Sequence, residues 1–559
     1  MTTKRDDLTA KQKDYAVFLP AISGFYATFI GKQRNEPYVD PKRFPQGLTD
    51  LEQMNWLNSQ QALFPYKWSL YSGGHANLDL TKPDWSEAMV RNRDPATTLL
   101  GDSGGFQIAK GLWEGEWRDP NSAEVQNKLA YLKTQTVTRK KGKKDLAVNL
   151  GNEYQKLIDA AQKKREAVLK WLDGIADYGM TLDIPTWVIH DPKASAACGI
   201  TTLEEAVDAT KYNNEYYIKH RKGVKEGGMR VLNVLQGANH DDADRWYDTM
   251  KHYCDPKQYP GRHFDGWAMG GQNMCDVHLI LRRLIALKYD GLLETGVHDW
   301  MHFLGTSKLE WAVLLTVIQR AVRKYHNPNF TISFDCASPF LATANGQVYY
   351  ENVFPHQGKW SYRMKPSADD KKYSTDTRRW GTGVVADGYY PRWTDSPISD
   401  LMTMRDICIY KPGDLNKNGK EGRTSWDSFS YALLMGHNVW MHINAVQEAN
   451  RQYDAGLCPT MLVQERFDRL YAKDVIEAIF ATSDRGTADS IVDEFSRFWM
   501  AIPGTRGYTG KRTVNPTTKY FELFDEVDAT SVQLEDEPDF SEEVSDKLDE
   551  LEASVHDIT

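Results

Sequence analysis

Three aspartates in this chain each close a short apolar run, a place where a carboxylate can face a substrate. Asp102 lies in GDSGGFQ, Gly101–Gln107, directly after Thr97–Leu100; Asp183 follows Met180–Leu182; Asp335 follows Thr331–Phe334 and precedes CASPF. Carboxyl groups that share a pocket can divide a reaction between them. One stabilises or bonds to an electron-poor carbon, and another carries protons to and from a leaving group. Small and flat residues stand beside them. Gly104 and Gly105, next to Ser103, let a backbone come close to a planar ligand, and Phe106 offers a ring to stack on it. Gln236-Gly237 follows RVLNVL, Gly270-Gly271 follows DGWAM, and Leu304-Gly305 ends another run. Taken singly, each also fits an ordinary turn or helix cap. Together they set three carboxylates and several amide or glycine contacts at the C-terminal ends of predicted strands, as the active face of a barrel requires.

The elements that must position these residues repeat one pattern. Val17–Pro20, Thr97–Leu100, Met180–Leu182, Arg230–Leu235, Gly266–Met269, Met301–Leu304 and Thr331–Phe334 have strand length and β-branched or aromatic content. Helical periodicity fills the gaps, over Asn152–Tyr178, Leu203–Tyr217, Ala243–Tyr253, Val277–Leu287 and Leu309–Tyr325. Such alternation predicts parallel βα units, and about eight of them close a (β/α)8 barrel. The expected fold is therefore α/β, a TIM barrel over residues 1–450 with insertions at about 110–150 and 351–425. A C-terminal helical extension over 451–520 follows, and 521–559 reads as an acidic, disordered tail.

Charge divides along the chain. The net charge is -9, but the segment from Phe521 to Thr559 alone carries -14, leaving +5 on the first 520 residues. A mildly basic body admits a nucleic-acid partner despite the negative total. The run RKKGKK, comprising Arg139, Lys140, Lys141, Lys143 and Lys144, is a candidate phosphate grip or else a solvated charge run. The six cysteines show no CxxC or CxC spacing, which argues against a zinc ribbon or a disulfide framework and fits a reducing cytoplasm. The polar start MTTKRDDLTAKQKDY does not resemble a signal peptide, and apolar stretches such as Ala312–Ile318 are too short to cross a bilayer. His298 and His302 have the i, i+4 spacing of helical metal ligands, but HFLG reads as strand and no third ligand is evident. His437 and His442 read as packed or hydrogen-bonded helix residues.

The order DSGGFQ, LD, VLQG, GG, LG, FDC resembles the tRNA-guanine transglycosylases over roughly residues 60–345, and more faintly at GHNVWMHINAV, Gly436–Val446, which looks like that family's last barrel helix. The resemblance implies roles. Asp335 matches the family's nucleophile, and Asp102 its general acid/base and base-contacting carboxylate. Asp183 matches the carboxylate that reads the purine's amidine-like edge. Gln236 and Gly271 match contacts to the base's carbonyl and substituent; Phe106 and Leu304 match the apolar faces around the ring. Ser103, Gly104, Gly105, Gly270 and Gly305 complete the expected base-binding set. Two displacements at one sugar carbon, by the two-carboxylate logic of retaining glycosidases, need no metal or other cofactor.

Departures from the family are equally specific. The CxCxxC…H zinc site of the tRNA enzymes is missing from the sequence, ASPF replaces their P-T-R signature after FDC, and the 351–425 insertion is foreign to the compact bacterial enzymes. These features resemble the deoxypurine-in-DNA transglycosylases of bacteriophages and bacterial gene islands, which exchange guanine in DNA for a 7-deazaguanine, typically the 7-cyano form, and so evade restriction. The implied partners are DNA and the free 7-deazaguanine base, with no membrane. A tRNA-acting enzyme and a non-catalytic partner subunit are the alternatives; a sugar-directed barrel hydrolase leaves GDSGGFQ and the Gly-Gly pair unexplained.

Overall fold

The structure is a computed structural model that describes residues 14–35, 41–81, 87–141, 144–367, 371–380, 396–408, 427–464, 469–505 and 507–508. Its centre is a sheet of eight parallel strands: β1 (Val17–Pro20), β2 (Trp68–Ser72), β3 (Thr98–Asp102), β4 (Tyr178–Met180), β5 (Arg230–Leu235), β6 (Gly266–Met269), β7 (Trp300–Phe303) and β8 (Thr331–Cys336). Each pairs with its successor from β2 to β8, and β8 pairs with β1. Between β1 and β2 a parallel bridge, Ala21 with Leu70, nearly closes the ring; the Ile22 N–H donates to the Leu70 carbonyl at 2.9 Å. This is the (β/α)8 barrel that the alternating sequence predicts.

The period-two pleat divides the strand residues between two cores. Inside the barrel, Leu70, Leu100, Met180, Leu232, Val234 and Ala268 pack together. The opposite faces, with Phe18, Leu99, Val231, Met301 and Phe334, join the larger core shared with the surrounding helices. Those helices start where side-chain caps allow. Asn149 caps Leu150–Ile175, a Thr202/Glu205 capping box opens Leu203–His220, Asn239 caps His240–Met250 and Asp276 caps Val277–Tyr289. Each cap fixes where its helix begins.

Several boundaries differ from the sequence expectation. β2 carries no predicted strand: WSLYS is interrupted by two serines and offers neither a continuous apolar run nor a strict alternation. β3 extends to Asp102 and β8 to Cys336, so both aspartates belong to the ladder, with Asp102 opposite Ser72 and Asp335 opposite Leu19. β4 lies two residues earlier than Met180–Leu182. The 110–150 insertion folds as the helix Ala123–Lys133 and an antiparallel hairpin, Thr136–Lys141 with Lys144–Asn149. It leaves the C-terminal end of β3 and thus springs from the face that bears the aspartates.

In the second insertion, the strands Gln347–Val353 and Ser361–Pro366 form another hairpin; 368–370, 381–395 and 409–426 lie outside the described residues. The helix Ser428–Asp454, which contains Gly436–Val446, packs beside Leu309–Tyr325 after β8. The extension places Ala472–Ala481 against Leu309–Tyr325 and Arg485–Glu494 against Val277–Tyr289. The acidic tail lies outside the described residues. Among the described residues no helix is long and apolar enough to cross a membrane.

Candidate active site

Asp335 stands on the inner face of β8, 8% exposed. Its Oδ1 lies 3.0 Å from His302 Nε2 and accepts a hydrogen bond from the Gly305 N–H at 2.9 Å. Gly305 follows β7, so one neighbouring strand supplies both partners. Both of these nitrogens converge on the same carboxylate oxygen. Asp335 Oδ2 takes no hydrogen bond from the described residues.

Asp102 ends β3 and is only half-buried. The Ser72 hydroxyl donates to its Oδ2 at 2.6 Å, and the Gly104 N–H reaches its Oδ1 at a long 3.4 Å. Loss of hydration raises the Asp102 pKa above the usual carboxylate range. The Ser72 and Gly104 bonds and exposed His75 pull it down, while the negative charge of Asp335 pushes it further up. The net shift is upward, the direction that suits a group passing a proton to and from a partner.

Asp183 follows β4 and is 6% exposed. Burial pushes its pKa up to about 7; a bond from the Gln236 amide N–H opposes that rise, and the Asp102 charge adds to it. That bond runs from Gln236 Nε2 to Asp183 Oδ2 at 2.8 Å. Gln236 Oε1 is buried without a partner among the described residues, an acceptor left open beside Gly271. The two glycine pairs make this crowding possible. Gly104 takes φ 87, where a side chain is strained, and starts the short helix Gly105–Ala109. A Cβ on Gly105 would lie 2.6 Å from the Asp183 carbonyl oxygen and 3.0 Å from its Oδ1. A Cβ on Gly270 would meet Gln236 Nε2 at 2.6 Å. Only hydrogen at these positions lets the β3 and β6 turns close on the Asp183–Gln236 pair.

The rim is aromatic and cationic. Phe106 is 38% exposed and its ring lies 6.1 Å from that of Trp187, tilted by 45°. Lys110 Nζ sits over both rings, at 5.6 and 5.7 Å. Leu304 is half-buried against the barrel interior. Arg139 and Lys140 are exposed on the insertion hairpin, whose alternating TVT and LAVN residues make it a folded ribbon instead of a loose charge run. Lys141 and Lys144 end its two strands, and Lys143 lies outside the described residues.

Ser103 is buried, and its hydroxyl donates to the Thr181 carbonyl at 2.9 Å, so the side chain braces the β3 turn against the segment after β4. His298 and His302 go separate ways. His298 Nε2 bonds the Cys254 carbonyl at 2.8 Å, whereas His302 serves Asp335. His437 bonds Ser396 and the Tyr349 carbonyl, and His442 bonds the Tyr362 hydroxyl at 3.0 Å, as packed helix residues should. Ser72, Trp187 and Ser333 are site neighbours that sequence reasoning passes over, and His302 is weighed there only as a metal ligand. The i, i+2 spacing of His302 from Trp300 and of Asp335 from Ser333, on strands expected to be adjacent, is the signal that could have found two of them. No protein-family model matches the chain, and no curated protein matches it.

Proposed function

We propose that this protein is a DNA-guanine transglycosylase, which exchanges guanine in DNA for a free 7-deazaguanine of the 7-cyano class. In the first displacement an Asp335 oxygen bonds to the sugar's anomeric carbon as the carbon–nitrogen bond to guanine breaks, and Asp102 gives its proton to the departing base. In the second, Asp102 takes the ring N–H proton of the incoming 7-deazaguanine, whose nitrogen displaces Asp335 from the same carbon. Two inversions give retention, and the carboxyl groups end as they began.

One observation carries the reading: two carboxyl groups in different surroundings stand at the C-terminal ends of the barrel strands, near enough for the charge of one to shift the other. Asp335 Oδ1 is held between His302 Nε2 and the Gly305 N–H, and the charge of Asp335 adds to the rise that burial gives the Asp102 pKa. Asp183 with the open Gln236 Oε1 fits the polar edge of a purine, and Phe106 fits its face. Removing a guanine from duplex DNA costs about a few kcal/mol of unstacking. Lys110 and Trp187 at the rim, and Arg139 and Lys140 on the ribbon, are suited to phosphates and flanking bases that offset it. The missing zinc motif favours DNA over tRNA.

The test is nucleoside mass spectrometry of DNA and tRNA from cells that express the protein with a 7-deazaguanine source. The expected result is a 7-deazaguanine deoxynucleoside in DNA, lost in Asp335→Asn. Modified tRNA beside unmodified DNA would overturn the DNA reading; neither modified would overturn the catalytic one.

A further inference from the structure

Beneath Asp335 a polar chain runs through the barrel interior. Trp300 and His302 alternate onto the inner face of β7, and Ser333 and Asp335 onto the inner face of β8; the register sets Ser333 directly beside His302. The Trp300 Nε1–H donates to Ser333 Oγ at 2.7 Å. Ser333 Oγ lies 2.8 Å from His302 Nδ1, and His302 Nε2 lies 3.0 Å from Asp335 Oδ1. His302 and Ser333 are fully buried.

Donor counting gives this chain a direction. An indole N–H only donates, so Ser333 must accept from Trp300. The hydroxyl has one proton, and His302 Nδ1 is the remaining partner within reach. If Nδ1 carried a proton instead, the buried Ser333 hydrogen would have no acceptor among the described residues, which burial makes costly. Nδ1 therefore accepts, the imidazole proton sits on Nε2, and Nε2–H points at Asp335.

We propose that Trp300 and Ser333 fix the tautomer of His302, and that His302 thereby pins Asp335 Oδ1 and presents Oδ2 as the atom that bonds to the sugar carbon. This inference rests on the transglycosylase reading for the identity of that carbon, but not for the tautomer. Both N–H donors converge on Oδ1, from His302 and Gly305, and Oδ2 receives none from the described residues. His302, Ser333 and Trp300 are positioning residues: only Asp335 touches the reacting carbon.

The experiment uses the full-length protein labelled with 15N-histidine, His302 being assigned by the signals lost in His302→Gln. The parent should show an unprotonated Nδ1 and a protonated Nε2; the reverse tautomer overturns the relay without any substrate or variant activity. The kinetic arm follows covalent adduct formation on a guanine-containing DNA oligonucleotide. Ser333→Ala should slow it by about 10–100-fold, the range typical of residues that orient a reacting group, with DNA binding unchanged. Ser333→Thr, which keeps the hydroxyl, should restore the rate. A Ser333→Thr variant as slow as Ser333→Ala would overturn the positioning role. A protonated Nε2 in a parent that never forms an adduct would uphold the relay and refute the transglycosylase reading alone.

Discussion

The barrel strands run from one environment into its opposite. At their N-terminal ends Trp68, Tyr178 and Trp300 pack ring against ring, with centroids 5.5 Å apart for Trp68–Trp300 and 4.5 Å for Tyr178–Trp300. At the C-terminal ends stand Asp102, Asp183 and Asp335, each close to groups that move its charge or hold it. A middle layer of Leu70, Leu100, Met180 and Leu232 separates the two. The pleat sends every second residue of one strand along this path, so a single strand supplies both a plug and a reactive group. The contrast teaches that stability and chemistry are set at different heights of the same strands. The plug also meets the mouth at one point, because Trp300 both packs at the bottom and opens the relay that ends on Asp335.

Substitutions at different heights should separate these effects. The largest belongs to the mouth: Asp102→Asn removes the proton carrier and should lower the exchange rate by about 10²–10⁴-fold. Its thermal stability should match or exceed the parent's, since the change removes a carboxyl that burial disfavours in its charged form. Leu232→Ala, in the middle layer, should do the reverse. It empties space around a fully buried side chain and should cost about 2–5 kcal/mol in urea unfolding, while the folded variant keeps the parent's exchange rate. Loss of rate without loss of stability in Leu232→Ala would erase the distinction between the two heights.

Asp183 sharpens the comparison through pH. Burial lifts its pKa from 3.8 in the ordinary carboxyl to about 7 in the folded protein. Folding thus takes up a proton. That stabilisation is complete below the unfolded value and is lost as pH rises through the folded one, leaving a buried charge above it. Asp183→Asn has no such proton and keeps an oxygen for Gln236. Its stability relative to the parent should therefore rise between about pH 4 and pH 8, by roughly 2–4 kcal/mol, read from urea midpoints at the two ends. A flat difference would show that the Asp183 carboxyl is not held in its protonated form.

Much of this division is legible in the sequence, because strand ends announce themselves: an apolar run that stops at Asp102, Asp183 or Asp335 marks both the element and the candidate group. Glycine is legible for the same reason, since Gly104 and Gly105 stand where a turn must be tight. Cross-strand partners are not. Ser72 meets Asp102, and His302 meets Asp335, through pairings between segments 30 and 33 residues apart, which become visible only once the strand order and register are known. The bond from the Ser103 hydroxyl to the Thr181 carbonyl, beside the αL turn at Gly104, is another long-range pairing that the local sequence does not announce. The Arg139–Lys144 run is masked by its own charge; the β-pattern lies in the flanking Thr, Val and Ala residues that pair across the hairpin.

The central claim is that Asp335 becomes the covalent link between protein and sugar. Denaturing the protein during turnover on guanine-containing DNA, followed by protease digestion and peptide mass mapping, reads that link directly. A deoxynucleotide attached to the peptide at Asp335, absent in Asp335→Asn, is the predicted result. A nucleotide found on another residue, or exchange that proceeds undiminished in Asp335→Asn, would contradict it.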